Sequence, residues 1–374
     1  MIKVLNILSD TNIGGAGHAV LNYLKNMDRT EFSAAVVLPR GSEMCGPVRA
    51  LGVPLYEVDA MADKSFDPPA VKMLIPVIRD FDPDVVHTHG SLSGRIAARR
   101  CRKAVVCTRH SAFPFPDAVL HTPLRWVYRY LYTHYADRII AISPAGAAIM
   151  TDCGVPKSRL DVMMNGVEPL PSAGPEERAA RRKELGLADG DFALGYIARI
   201  EEYKGHLDVL EAVKLLRDDG RPVKLVIAGT GDFEPQVRSR AQELGIADAV
   251  IFTGFVKDVA RVFSALDVQV NASYISEACS LSLQEGMSVG IPTVASDCCG
   301  NPWIVDDNET GFLFTPRDPR SLAGRVARLM DDPELLEKFR RRSEEEYREK
   351  FTGKIYARNV ENVYRKALAA RRKG

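Results

Sequence analysis

Short runs of consecutive apolar residues, separated by glycine-rich loops and by stretches of helical period, recur along most of the chain. The first, IKVLNIL (2–8), leads through SDTNIGGAG into HAVLNYLKNM, whose apolar positions repeat at helical spacing. Further runs follow at AAVVLP (34–39), VPLYEV (53–58), DVVHTH (84–89), AVVCTRH (104–110) and RIIAIS (138–143). Continuous β-branched runs of this kind suit strands buried on both faces, so the pattern predicts a parallel sheet flanked by helices. A second series begins after NGVEPLPSAGPEE (165–177), a linker rich in proline and glycine. Its strands are FALGYIA (192–198), VKLVIAG (223–229), AVIFTGF (249–255), VQVNA (268–272) and PTVAS (292–296), with helices over 206–219 and 234–245. From Asp332 onward the chain reads as charged amphipathic helices. The expected fold is α/β: two Rossmann-like, doubly wound domains, 1–167 and 168–352, facing each other across a cleft lined by strand carboxyl ends. A length of 374 residues fits two cores rather than one.

Composition changes this picture only locally. With 46% hydrophobic and 26% charged residues the chain is ordinary for a soluble protein, and a net charge of +1 supplies no field to recruit nucleic acid. The charge is uneven, however: between Arg95 and Arg138 nine lysines and arginines face only Asp117 and Asp137. Such a stretch is either a solvated basic surface or a contact for an anionic substrate or the inner membrane surface. The segment LRWVYRYLYTHYADR (124–138) mixes aromatics with arginine; it reads first as a packed helix and second as a membrane-surface or lipid-acceptor contact. The seven cysteines, including the neighbours Cys298 and Cys299, show no metal-ligand spacing and read as reduced structural thiols. The N-terminus does not read as a signal peptide and no apolar run approaches about 20 residues, so the expected location is the cytoplasm, with peripheral contact at the membrane face as a further option.

The glycines after the first strand do not form a dinucleotide fingerprint. Gly14, Gly15 and Gly17 lack the GxGxxG spacing, and the second strand ends in Pro39 and Arg40 with no acidic residue. They fit either a tight turn with positive φ or a close backbone approach to an anion at a helix N-terminus. In the second half, Arg199 and Lys204 follow a buried strand directly, where two cations suit a diphosphate; a solvated basic loop is the plainer alternative. The loops GTGD (229–232) and GFVKDV (254–259) also fall at strand carboxyl ends, making Gly229, Phe255 and Val256 candidate contacts for a ribose and base. Ser282 and Glu285 have capping-box spacing, so a helix is expected to start near Ser282, with Glu277 outside it on the loop. The first-turn N–H groups of that helix suit phosphate, and an ionised carboxylate such as Glu285 can accept hydrogen bonds from paired ribose hydroxyls. Glu277 could do the same for a sugar, and together these features outline a nucleotide-sugar site. The string DFDPD (80–84) reads as a turn rather than a metal site.

The stretch SEACSLSLQEGMSVGIPTVASDCCGNPWIV (276–305) resembles the signature of the retaining glycosyltransferases of family 4, the glycosyl transferases group 1, which have the GT-B fold. RIEEYKG, GTGDFE, FTGFVKD, ADRIIAIS and MNGVE match further landmarks in order, so the resemblance spans nearly the whole chain. It implies that Arg199 and Lys204 hold the donor diphosphate, with backbone amides around Ser280, Leu281 and Ser282. It also implies that Glu285 binds the ribose, that Glu277 lies by the transferred sugar, and that Gly14 and Gly15 line the cleft. His110, in CTRH, matches the family's active-site histidine, while His87 and His89 are candidate acceptor contacts or structural packing. The final helix, 353–374, is expected to cross back to the first domain. Two positions depart from the pattern: Ala278 and Cys279 stand where the family commonly has Gly-Phe, and Cys298–Cys299 replace a small residue and glycine.

The resemblance implies transfer of a sugar from a nucleoside diphosphate sugar, UDP first and GDP or ADP as alternatives, to a hydroxyl acceptor that is lipid-linked or polysaccharide. No metal or other cofactor is expected, since protein cations would balance the diphosphate. A glycan phosphorylase would need a pyridoxal phosphate lysine and a longer chain. A nucleotide-sugar epimerase of the same fold and a catalytically silent sugar-binding protein are the competing readings.

Overall fold

A computed structural model describes residues 1–120 and 123–372. Residues 121 and 122 of the basic stretch, and 373 and 374 of the predicted final helix, lie outside the described residues. The chain divides into two compact units, Met1–Val167 with Phe351–Gly374, and Glu168–Lys350.

The first unit holds seven strands: β1 (Ile2–Leu8), β2 (Phe32–Pro39), β3 (Leu55–Val58), β4 (Val85–His89), β5 (Ala104–Arg109), β6 (Arg138–Ala141) and β7 (Leu160–Val162). All pair in parallel, in the order β3-β2-β1-β4-β5-β6-β7. Strand order reverses between β1 and β4, the crevice where such sheets bind ligands. Leu5, Ile7, Val37, Val86, Val105 and Ile139 are fully buried, as expected of strands covered on both faces. The closing helix Gly353–Arg372 belongs to this unit. Its Tyr364 is fully buried and packs edge-on against Tyr23, with ring centroids 5.8 Å apart. The chain leaves and re-enters the unit side by side: Val167 N donates to Phe351 O (2.9 Å) and Gly353 N to Val167 O (3.0 Å).

The second unit has β8 (Phe192–Ile197), β9 (Val223–Ala228), β10 (Val250–Gly254), β11 (Val268–Asn271), β12 (Thr293–Ser296) and β13 (Gly311–Phe314). These are again all parallel, in the order β10-β9-β8-β11-β12-β13, with the reversal between β8 and β11. Its core sets Tyr196, Val209, Val213, Leu225 and Phe312 against Phe339. Two strands, β7 and β13, add to the expected set. At three and four residues they are too short to show a period.

Two expectations about local geometry are corrected. The helix after β1 spans Gly15–Asn26 with Gly14 as its N-cap at φ −89°, and none of Gly14, Gly15 and Gly17 has positive φ, so the turn does not demand glycine. A Cβ on Gly17 would lie 2.9 Å from Met44 Sδ, whereas one on Gly15 would meet nothing within 4 Å. The second correction concerns the helix after β11, which spans Leu281–Met287 and is capped by Ser280, not Ser282. Ser280 sits in extended backbone (φ −72°, ψ 109°) and its hydroxyl accepts from Leu283 N, leaving Glu285 in the second turn and outside any capping box.

Candidate active site

In the second unit every candidate lies at a strand carboxyl end, and the centre of the group straddles the β8/β11 reversal. Lys204 follows β8 in a single 3-10 turn, Glu202–Lys204. Glu277 follows β11, six residues beyond its last residue, Asn271. The two close an ion pair, Lys204 Nζ donating to Glu277 Oε2 at 2.6 Å, with side chains 13% and 9% exposed. Asn271 Nδ2 (3.2 Å) and Ser273 Oγ (3.1 Å) donate to the same oxygen. Burial opposes ionisation of Glu277, but the Lys204 ammonium and these hydrogen bonds outweigh it and hold its carboxyl below the usual glutamate range. Asn271 Nδ2 also reaches Ser280 Oγ (3.3 Å), so one amide ties Glu277 to the helix cap. The Tyr196 hydroxyl donates to the Lys204 carbonyl and fixes the other side.

From below, the Cys298–Cys299 turn supports Glu277. Gly300 N donates to Glu277 O at 2.6 Å, and a Cβ on Gly300 would stand 2.0 Å from Ala278 O. Glycine is required there by the close approach of two backbones. Cys298 and Cys299 are free thiols, and burial with the neighbouring thiol pushes Cys298 up to about 12.

Other candidates are placed more loosely. The Arg199 side chain is 73% exposed and its guanidinium donates to Tyr203 Oη at 3.2 Å. Leu281 and Ser282 form the first turn of the helix, the Ser282 hydroxyl 3.1 Å from that of Ser280. Among the described residues no cation is paired with Glu285, and burial pushes its carboxyl from 4.5 up to about 7. Phe255, directly after β10, is 78% exposed, while Val256 packs on the apolar cluster around Phe263. Gly229 has a packing reason of its own: at φ +145° a Cβ would lie 2.0 Å from Ala198 O.

In the first unit the three histidines stand together. His87 is buried on β4 with both ring nitrogens engaged, one by Tyr364 Oη (2.8 Å) and one by Thr108 Oγ1 (2.7 Å). His89 pairs with His110 Nε2 through Nδ1 (2.8 Å) and with Asn6 Oδ1 through Nε2 (3.4 Å). With their nitrogens committed to protein partners, His87 and His89 fit the packing alternative and stand as buried neighbours of His110. His110 itself keeps a buried Nδ1 with no hydrogen-bond partner among the described residues. Burial pushes His87 down to about 3 and His110 down to about 4, so the ladder is neutral at ordinary pH.

Sequence reasoning missed the groups that hold these side chains: Asn271, Ser273 and Tyr196 in one unit, Asn6, Thr108 and Tyr364 in the other. A polar residue ending an apolar strand run was the available signal for Asn271 and Thr108. Nothing local pointed to Tyr364, some 277 positions from His87. Within DFDPD, the Asp84 carboxylate accepts from Lys3 N (2.8 Å) and Asp82 is ion-paired with Lys103. Among the described residues no group of three His, Cys, Asp or Glu side chains is placed to hold a metal, and no helix is long and apolar enough to cross a membrane.

Residues 177–346 match the glycosyl transferases group 1 family and residues 13–169 match glycosyltransferase family 4. EpsD of Bacillus subtilis, named as a glycosyltransferase, is 30% identical over 292 residues, covering 73% of this chain and 75% of EpsD. Alpha-monoglucosyldiacylglycerol synthase of Streptococcus pneumoniae is 27% identical over 81% of this chain and 69% of its own. The structure of HepE from Anabaena, solved with UDP and glucose, superposes with a TM-score of 0.84 at 19% identity, covering 97% of this chain and 99% of HepE. The chain therefore belongs to the glycosyl transferases group 1, family 4-like glycosyltransferases, and has the GT-B fold.

Proposed function

We propose that this enzyme transfers a sugar from UDP-sugar to a hydroxyl acceptor, with retention at the anomeric carbon and without a metal ion, in polysaccharide or glycolipid assembly on the cytoplasmic side. The observation that carries the reading is the buried Lys204–Glu277 pair, placed where the β8/β11 reversal opens a ligand crevice. The UDP complexes of HepE support the choice of base, with GDP and ADP as the alternatives.

In this reading Lys204 and Arg199 meet the diphosphate, joined by the N–H groups of Leu281 and Ser282, while Gly14 and Gly15 are proposed as anion contacts of the first unit. Glu285 accepts the ribose hydroxyls, and Gly229, Phe255 and Val256 lie by the ribose and base. Glu277, anchored by Asn271 and Ser273, lies by the sugar. In the first unit His110, neutral and with Nδ1 not engaged by a described residue, is proposed as a sugar contact. The bond from the anomeric carbon to the phosphate oxygen breaks, and charge accumulates on the diphosphate facing Lys204 and Arg199. The acceptor hydroxyl adds on the same face, and its proton passes to the departing phosphate oxygen.

Calorimetric titration with UDP, GDP and ADP, without divalent metal, tests the donor site. The expected result is tight binding of one nucleotide, UDP, weakened at least 30-fold by Glu285→Ala. Folded protein that binds none of the three would overturn the reading. Binding without turnover of any donor would favour a silent sugar-binding protein.

A further inference from the structure

The helix Leu124–Tyr135 buries none of its residues. Tyr128, Leu131, Tyr132 and Tyr135 turn partly inward, and Arg95 lies over the Tyr132 ring at 4.8 Å. The opposite side displays Trp126, Val127 and Tyr130, which are 74%, 49% and 52% exposed. Large aromatics are rarely left in water without a partner, and Trp and Tyr combine an apolar ring with a polar tip. Arg125 and Arg129 flank this face, their side chains approaching Gly154.

The end of the same helix adjoins an open cavity of about 630 Å³ lined by Arg99, Arg138, Arg159 and Arg371, with Asp137 as the one carboxylate in the lining. Arg99 Nε donates to His134 O (2.9 Å), which ties the cavity wall to the last helical turn. Arg99 and Arg138 are balanced by Asp137 and Asp161. Arg159 and Arg371 have only backbone carbonyls as partners among the described residues. Two guanidiniums without a carboxylate, beside an exposed aromatic face, match a partner that is anionic at its surface and apolar beneath it. A nucleic acid supplies the anions but no apolar layer.

We propose that this side of the first unit docks the enzyme on an anionic lipid bilayer, with Trp126 and Tyr130 in the headgroup layer and Arg159 and Arg371 on lipid phosphates. Lipid binding stands apart from the donor-site reading; only its consequence, an acceptor presented at the membrane, rests on that reading.

The test is co-sedimentation with vesicles of phosphatidylglycerol and phosphatidylcholine, against phosphatidylcholine alone. The chain has two tryptophans, Trp126 and Trp303, so in a Trp303→Phe background the emission reports Trp126 alone. The expected results are binding to the anionic vesicles only, a blue shift of that emission, and loss of binding as salt rises. Trp126→Ser with Tyr130→Ser should weaken binding at least tenfold, as should Arg159→Ser with Arg371→Ser. Both double variants should keep the wild-type thermal transition and wild-type UDP affinity, which separates failure here from failure of the donor site. No binding to anionic vesicles, equal binding to neutral ones, or unchanged binding by both double variants would overturn the proposal. So would an aromatic face that serves self-association, seen as a wild-type dimer that Trp126→Ser with Tyr130→Ser makes monomeric without changing vesicle binding.

Discussion

Glu285 is held in a state that opposes its proposed role, and that conflict can be measured. Burial pushes its carboxyl from 4.5 up to about 7, so ionising it in the folded protein carries a cost. Each tenfold change in proton affinity is worth about 1.4 kcal/mol, which puts the full cost at about 3 kcal/mol. Because the side chain keeps some access to water, about 1–2 kcal/mol is the amount expected in practice. The sign follows from linkage: a carboxyl whose folded value is raised contributes stability that is complete below 4.5 and is lost as pH rises through 7. Glu285→Gln mimics the neutral form at every pH. Urea unfolding of the nucleotide-free protein should therefore find the variant equal to wild type near pH 4 and more stable by about 1–2 kcal/mol at pH 8. The same variant should bind UDP at least tenfold more weakly, since the amide accepts fewer hydrogen bonds than a carboxylate. Calorimetry in buffers of different ionisation enthalpy should show wild type releasing about half a proton on binding UDP at pH 7. A variant less stable than wild type at pH 8, or a stability difference that does not change with pH, would refute the reasoning.

Other perturbations test the supports around the pair. Gly300→Ala places a methyl where Ala278 O already stands 2.0 Å from the Cβ position, so it should displace Glu277 and lower donor turnover at least tenfold while circular dichroism stays native. Glu277→Gln and Lys204→Met should each cost about 3 kcal/mol in urea unfolding by leaving one buried charge unpaired. The double variant should cost less than the two together, a coupling visible in a double-mutant cycle. The neutral histidine ladder makes the first unit acid-labile. Unfolded histidines take up protons near 6.5, whereas folded His87 and His110 hold out to about 3 and about 4, so stability should fall steadily as pH drops from 6.5 to 4. His87→Gln should flatten part of that slope.

The repeat of apolar runs made the fold legible, because strands buried on both faces leave an unbroken hydrophobic signature and these sheets contain almost nothing else. What escaped were β7 and β13, short strands whose pairing is set by neighbours rather than by their own residues. The site was legible to the extent that its residues follow strand ends. Lys204, Glu277 and His110 could be placed because each lies in the loop that follows a run that reads as buried. Contacts made across the sequence were not legible. The sequence left His87 open between an acceptor contact and structural packing, because Tyr364 and Thr108, which hold its two nitrogens, lie far from it along the chain. Ser282 looked like the cap because its spacing to Glu285 fits a box, yet Asn271 draws Ser280 into that position from the neighbouring strand. Local spacing identifies which residue types gather at a sheet edge, but long-range hydrogen bonds decide which of them remain free for a ligand.

The central claim is that the Lys204–Glu277 pair belongs to a working donor site. Its most direct test is release of UDP from a panel of UDP-sugars, measured without divalent metal for wild type, Lys204→Met and Glu277→Gln, each verified as folded. The account predicts release by wild type from at least one donor and a loss of at least a hundredfold in both variants. Wild-type rates in either folded variant, or no release from any donor by wild-type protein that binds UDP, would contradict it.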